Sequence, residues 1–144
     1  MLTTPEKLRS FGITPTVQRV AVYDLLHDHP AHQTAEEVYA ALQKTLSTIS
    51  LATVYNTLKV LTAKGALWEL RIEDGVSRYD ANLCSHAHFK CVDCGTVYDL
   101  WPAPGENAVP EIPGLPENFT VQDIQLCCRG TCSHCRKTAP HKAG

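Results

Sequence analysis

What this chain of 144 residues lacks narrows its class before any motif is read. It has no run of about twenty apolar residues, so no segment reads as a transmembrane helix. Its first residues, Met1-Leu2-Thr3-Thr4-Pro5-Glu6-Lys7, lack the basic and then apolar layout of a secretory signal, and the expected location is the cytoplasm, off the membrane. An excess of positive charge is also missing: 13 Lys and Arg face 15 Asp and Glu, a formal net charge of −2. Residues 1 to 80 alone carry eight basic against nine acidic side chains. Bulk attraction to nucleic acid is thereby excluded, and any affinity for DNA has to come from placed contacts, helix N-termini, dimerisation or bound cations. Nor is there an even set of cysteines, since the chain has seven. What is present, 44% hydrophobic and 19% charged residues, describes a globular protein with one core of ordinary size or two small ones.

The densest chemistry lies in Cys84-Ser85-His86-Ala87-His88-Phe89-Lys90-Cys91-Val92-Asp93-Cys94-Gly95. Cys91 and Cys94 form a Cys-x-x-Cys knuckle, and Cys132-Ser133-His134-Cys135 repeats the spacing near the end. In a reducing compartment four thiolates in two knuckles satisfy tetrahedral zinc, and such a site is structural, with no open position for chemistry. A redox-active thiol pair is the rival, but neither knuckle opens a helix in a thioredoxin-like βαβ setting. Cys84, Cys127 and Cys128 stay unassigned. If residues 86 to 91 are extended, His86 and His88 project from one face and can grip one ion together. Asp80 and Asp99 fall at the ends of neighbouring strands, where they could converge on it. His32 lies in the loop before the third helix, while His27 and His29 at the end of the second are expected to be exposed. Such nitrogen and oxygen donors suit iron(II), manganese(II) or zinc.

The N-terminal part reads as four helices and a hairpin. Thr4-Pro5-Glu6 resembles a cap, a first-turn proline and an acid, for a helix to Ser10. Thr14-Pro15 repeats the signal before Val17, Val20, Ala21, Leu25 and Leu26 at helical spacing. Thr34 to Glu37 is a capping box for a third helix, and Ser50 caps a fourth, with Ile49 and Val54 as a hydrophobic staple and Gly65 as its stop. Trp68 to Glu73 and Val76 to Asp80 alternate around Asp74-Gly75, a hairpin. This order describes a winged helix-turn-helix over residues 1–81, with Ser50, Thr53, Tyr55, Asn56, Thr57 and Lys59 on the polar side of the helix that would enter the major groove of double-stranded DNA. A plain helical domain with a solvated polar face is the alternative.

A smaller unit spans 84–136. His86 to Cys91 and Thr96 to Leu100 should pair, and Phe119 to Cys128 reads as a last strand with a bulge near Asp123. Residues 102 to 118 hold five prolines and two glycines, leaving room for a short helix near Glu106 to Ala108. Residues 137–144 read as a mobile tail.

The motifs Pro15-Thr16-x-Gln18-Arg19, Ala31-His32-x-Thr34-Ala35-Glu36-x-Val38-Tyr39, Ala52-Thr53-Val54-Tyr55-Asn56-Thr57-Leu58, Arg78-Tyr79-Asp80 and His86-x-His88-Phe89-x-Cys91-x-x-Cys94-Gly95 together resemble those of the ferric uptake regulator family of bacterial metal-dependent repressors, along nearly the whole chain. The resemblance implies an α+β homodimer on a palindromic operator: a winged helix-turn-helix, then a small α/β dimerisation domain with a four-cysteine zinc site. It also implies a regulatory metal, Fe2+ or Mn2+ with Zn2+ as a further candidate, held by His32, Asp80, His86, His88 and Asp99. Aspartates at 80 and 99, where iron-uptake regulators carry glutamates, resemble the peroxide-stress branch. There iron(II) and hydrogen peroxide oxidise a ligand histidine, which here would be His32 or His86. Iron-, zinc- and manganese-uptake regulation remain open within the family, with Cys84 a candidate ligand for zinc. Outside it stand a non-haem iron enzyme and a zinc-stabilised protein-interaction module.

Overall fold

The chain divides into two compact units, Met1–Leu83 and Cys84–Gly144, and the computed structural model describes residues 1–106 and 111–138. The first unit contains α1 (Thr4–Ser10), α2 (Val17–Asp28), α3 (Ala35–Leu42), α4 (Leu51–Ala63) and an antiparallel hairpin of β1 (Trp68–Glu73) and β2 (Val76–Asp80). That order is a winged helix-turn-helix.

Each helix start is fixed by a side chain that meets otherwise unsatisfied amides. For α1 it is Glu6, whose carboxylate accepts the N–H of Thr3 at 2.7 Å, so that Thr3 rather than Thr4 is the cap, and for α2 it is Thr16, which accepts the Arg19 N–H at 3.2 Å. Thr34 and Glu37 cap α3 reciprocally, at 3.2 and 2.9 Å. Ser50 accepts the Thr53 N–H at 3.1 Å, and Ile49 and Val54 are both buried beneath it as a staple. At the other end of α4, Gly65 takes a φ of +73°, which ends the helix at low steric cost. All four helices contribute to one core, with Leu8, Val22, Leu26, Val38, Val54, Leu58 and Leu61 sealed from solvent. On α2 the buried stripe runs through Val22, Tyr23 and Leu26, whereas Val17 is exposed, because the helix begins with its first turn turned outward. The Tyr79 N–H donates to the Gln33 carbonyl at 3.1 Å and ties β2 to the loop before α3.

The second unit is a three-stranded sheet, ordered β4-β3-β5, from β3 (Ala87–Cys91), β4 (Val97–Leu100) and β5 (Cys127–Gly130), followed by α5 (Ser133–Thr138). Strand β3 pairs antiparallel with β4 and parallel with β5. Gly130 permits the close approach of β5, since a Cβ there would lie 3.3 Å from the Phe89 ring.

Two expectations are corrected here. The last strand does not run from Phe119 to Cys128: residues 111–126 are irregular and exposed, and only Cys127–Gly130 is strand. Strand β3 offers β5 just the four partners His88 to Cys91, so the upstream residues, however apolar, find no ladder and no bulge forms at Asp123. The tail does not begin at 137, because Lys137 and Thr138 complete α5; the rest of it, and the short helix expected beyond Glu106, lie outside the described residues. No helix among the described residues is long and apolar enough to cross a membrane.

Candidate metal centres and nucleic-acid interface

The four sulfur atoms of Cys91, Cys94, Cys132 and Cys135 lie within 4.8 Å of one another, with Cys94 and Cys132 at 3.9 Å. Tetrahedral zinc with Zn–S bonds of about 2.3 Å places sulfurs roughly 3.8 Å apart, so the cluster fits that ion. Its polar surroundings favour thiolate: the Cys132 N–H donates to Cys91 Sγ at 3.3 Å and, followed by the Cys94 N–H, pulls that thiol down to about 6. The Cys135 N–H lowers Cys132 in turn, and its hydrogen bond with Cys132 pushes Cys135 up to about 12. Crowded thiolates repel one another, and a shared dication is the usual relief.

Each unit also holds nitrogen and oxygen donors. In the second, His88 and Asp99 are direct cross-strand partners on β3 and β4. Asp99 Oδ1 lies 3.2 Å from His86 Nε2 and 3.5 Å from His88 Nε2. Donors sharing an ion at bonds of about 2.1 Å stand roughly 3.0–3.4 Å apart, so three of the predicted ligands are spaced for one metal. His86 Nδ1 donates to the Cys84 carbonyl at 2.7 Å; a carbonyl can only accept, so the lone pair belongs to Nε2, on the Asp99 side. Cys84 itself is exposed, and it orients His86 through this carbonyl. Trp101, which the sequence reading passed over, stacks on the His86 ring at 4.3 Å between centroids. Its signal was alternation, since it lies two residues beyond Asp99. Cys127 sits beside His88 in the parallel register, and its burial raises its thiol above the ordinary value.

In the first unit His32 and Asp80 are both buried, with His32 Nε2 3.5 Å from Asp80 Oδ2. Asp80 Oδ1 accepts the Asn82 N–H at 2.7 Å, which aims the other oxygen at the imidazole. His27, His29 and His134 are exposed, and His141 lies outside the described residues.

On α4, Tyr55, Asn56 and Lys59 are exposed, and the Ser50 and Thr53 hydroxyls bond each other at 2.8 Å at the cap. Thr57 is 5% exposed, because it follows Val54 by three residues and borders the inward stripe of Leu58 and Leu61. The face is larger than predicted in another direction. A cleft of about 240 Å³ between the start of α2 and α4 sets Gln18 and Arg19 beside Thr53, Asn56 and Thr57, and the Tyr55 hydroxyl donates to the Glu36 carboxylate on α3.

A model of the ferric uptake regulator family matches residues 10–129. The peroxide operon regulator of Bacillus subtilis (strain 168) is 35% identical over 136 residues, covering 94% of this chain and 93% of that protein. Among solved structures, the Vibrio cholerae ferric uptake regulator shares the fold with a TM-score of 0.69 at 23% identity, over 90% of this chain and 100% of that one. A zinc-bound manganese uptake regulator gives 0.67 at 29% identity, over 91% and 99%. By the extent of the family match and the identity to its relatives, the chain belongs to the ferric uptake regulator family.

Proposed function

We propose that this protein is a homodimeric, cytoplasmic, metal-dependent repressor that holds a palindromic DNA operator and releases it when hydrogen peroxide oxidises a ligand histidine. It is a regulator and not an enzyme. The observation that carries the reading is the donor set: two imidazole nitrogens, of His86 and His88, at 3.2 and 3.5 Å from an Asp99 oxygen, and the nitrogen and oxygen of His32 and Asp80 at 3.5 Å. These match the chemistry of iron(II) or manganese(II), with zinc also accommodated, and the thiolates reserve a separate place for structural zinc. The similarity to the Bacillus subtilis peroxide operon regulator favours peroxide as the signal.

In this reading His32 and Asp80 from the first unit join His86, His88 and Asp99 from the second as ligands of one ion. Joining them fixes the two units together and biases the dimer toward the shape in which Tyr55, Asn56 and Lys59 of both protomers meet successive major grooves. Nearly complete switching requires about 5.5 kcal/mol of differential binding, which five ligands can supply because stabilisation grows with the ratio of ion to dissociation constant. Iron(II), held by these ligands, would supply the redox chemistry that activates hydrogen peroxide beside them; in the net reaction one peroxide would be reduced by the two electrons the imidazole gives up, one oxygen going to the ring and the other leaving as water. A ligand imidazole that gains oxygen loses its donor geometry, and the clamp opens.

The test is peptide mass spectrometry of iron-loaded protein before and after brief, low peroxide, with a manganese-loaded control and operator binding in parallel. One added oxygen on His32 or His86, dependent on iron and matched by loss of DNA binding, is the expected result. Unmodified histidines with operator binding that simply tracks iron, zinc or manganese would make this a metal-uptake regulator.

A further inference from the structure

His32 is the one non-glycine residue among those described with a positive φ, +48°. Left-handed backbone is uncommon for a side chain of this size and persists where surrounding contacts hold it. The contacts that hold this one come from the wing. Arg78 on β2 is mostly buried, and its guanidinium donates through Nη1 to the His32 carbonyl at 3.0 Å. The same group pairs through Nε with Glu73 at 2.9 Å, across the hairpin, and stands 3.7 Å from Glu37, the residue that closes the cap of α3. One residue along β2, the Tyr79 N–H holds the Gln33 carbonyl, and one further comes Asp80. The loop carrying His32 is therefore bolted at successive carbonyls to the strand carrying Asp80.

We infer that Arg78 is the positioning residue of the regulatory centre: its planar fork fixes the left-handed turn at His32 against the wing, so that His32 and Asp80 are presented as one preformed pair. This rests on the reading of His32 as a metal ligand. Lysine cannot replace arginine in the role, because an ammonium on a flexible stem is a point donor, whereas the guanidinium serves the Glu73 carboxylate and the His32 carbonyl in fixed, divergent directions. The wing is consequently part of the sensor. A hairpin bound to the ligand loop through Arg78 moves with His32, and capture of an ion reaches the wing without passing through the helical core.

The experiment is a double-mutant cycle on the full chain with zinc retained at the thiolates, reading the manganese(II) dissociation constant by titration and the unfolding midpoint by circular dichroism. His32→Asn removes the imidazole while keeping a residue that tolerates left-handed backbone. Loss of an outer-shell contact to a ligand costs on the order of tenfold or more in metal affinity, so Arg78→Lys should weaken manganese binding about tenfold with the thiolate zinc unchanged. In the His32→Asn background the same replacement should weaken it no further, because its effect passes through His32. Equal losses from Arg78→Lys in both backgrounds, or wild-type affinity in Arg78→Lys alone, overturn the inference while leaving the metal site standing. Wild-type affinity in His32→Asn overturns the ligand assignment itself, and the inference with it. If Arg78→Lys lowers the unfolding midpoint, Glu73→Ala separates the effects: it removes the partner of Nε while leaving Nη1 on the His32 carbonyl, so it should lower the midpoint without the tenfold loss of manganese affinity, and an equal loss of affinity would overturn the inference.

Discussion

Removing zinc from the thiolates should unfold the sheet unit and leave the helical unit standing. The two units differ sharply in what holds them. In Met1–Leu83 a cluster of fifteen buried apolar residues joins all four helices to the wing. In Cys84–Gly144 the buried apolar residues among those described are Ala87, Cys91 and Cys132, and two of these three belong to the four-cysteine cluster that fits zinc. Burying side chains of this size is worth less than about 3 kcal/mol each, so they supply at most roughly 9 kcal/mol, against a conformational entropy cost of about 1–2 kcal/mol for each ordered residue. Structural zinc contributes on the order of 10–16 kcal/mol, more than the three fully buried side chains supply together. A strong chelator, or Cys91→Ser, should therefore collapse hydrogen-exchange protection at the His88 amide, bonded to the Leu126 carbonyl, and the Val92 amide, bonded to Gly130. Amides of α4 should stay protected in the same sample. Slow exchange at His88 and Val92 after complete zinc removal would refute the argument, and would mean that the exposed apolar residues between Ile112 and Leu126 hold the sheet through a partner surface.

The remaining predictions concern the first unit. Asn56→Ala should cost about 1–3 kcal/mol of operator discrimination if its amide reads a base edge, measured as the ratio of specific to random-sequence affinity; Thr57→Val, at a buried position, should leave that ratio unchanged. Glu36 is held below its ordinary pKa of 4.5 chiefly by the Tyr55 hydroxyl. A depressed carboxylate contributes stability that is present above its ordinary pKa and lost as pH falls through the lowered one, so Tyr55→Phe should return the Glu36 midpoint toward 4.5 in a carboxyl NMR titration, with no effect on stability at low pH. Thr34→Ala removes the acceptor for the Glu37 N–H and should lower stability by about 1 kcal/mol in thermal denaturation.

Much of this was legible in the sequence because the signals are local. Caps, turn residues and the buried spacing of α3 and α4 act within a few positions, and the hairpin over 68–80 followed from alternation around Asp74-Gly75. The two knuckles were legible because zinc chemistry restricts both residue type and spacing. The burial of Thr57 was not legible because a threonine carries no mark of which way it faces, and its burial is set by phase: it falls three residues after Val54, beside the inward stripe. The false strand at Phe119 has the opposite cause. Apolar alternation is a demand for a partner, and whether β3 is long enough to meet it is decided elsewhere in the chain.

Arg78 shows where sequence reading stops for a functional reason. In the string it belongs to the motif Arg78-Tyr79-Asp80, which names no partner for it, and its outward-or-inward placement is settled by its neighbours. In the fold it meets Glu73, Glu37 and the carbonyl of a histidine forty-six positions upstream. A ligand is visible in sequence because metals select for imidazole, carboxylate and thiolate. A residue that orients a ligand acts through a backbone carbonyl, and every residue has one of those, so nothing in the ligand's own identity points back to it. The same holds for the Cys84 carbonyl behind His86. Both orienting contacts are donated to main-chain oxygen, which is why the donor sets could be listed from the sequence while the devices that aim them required the fold.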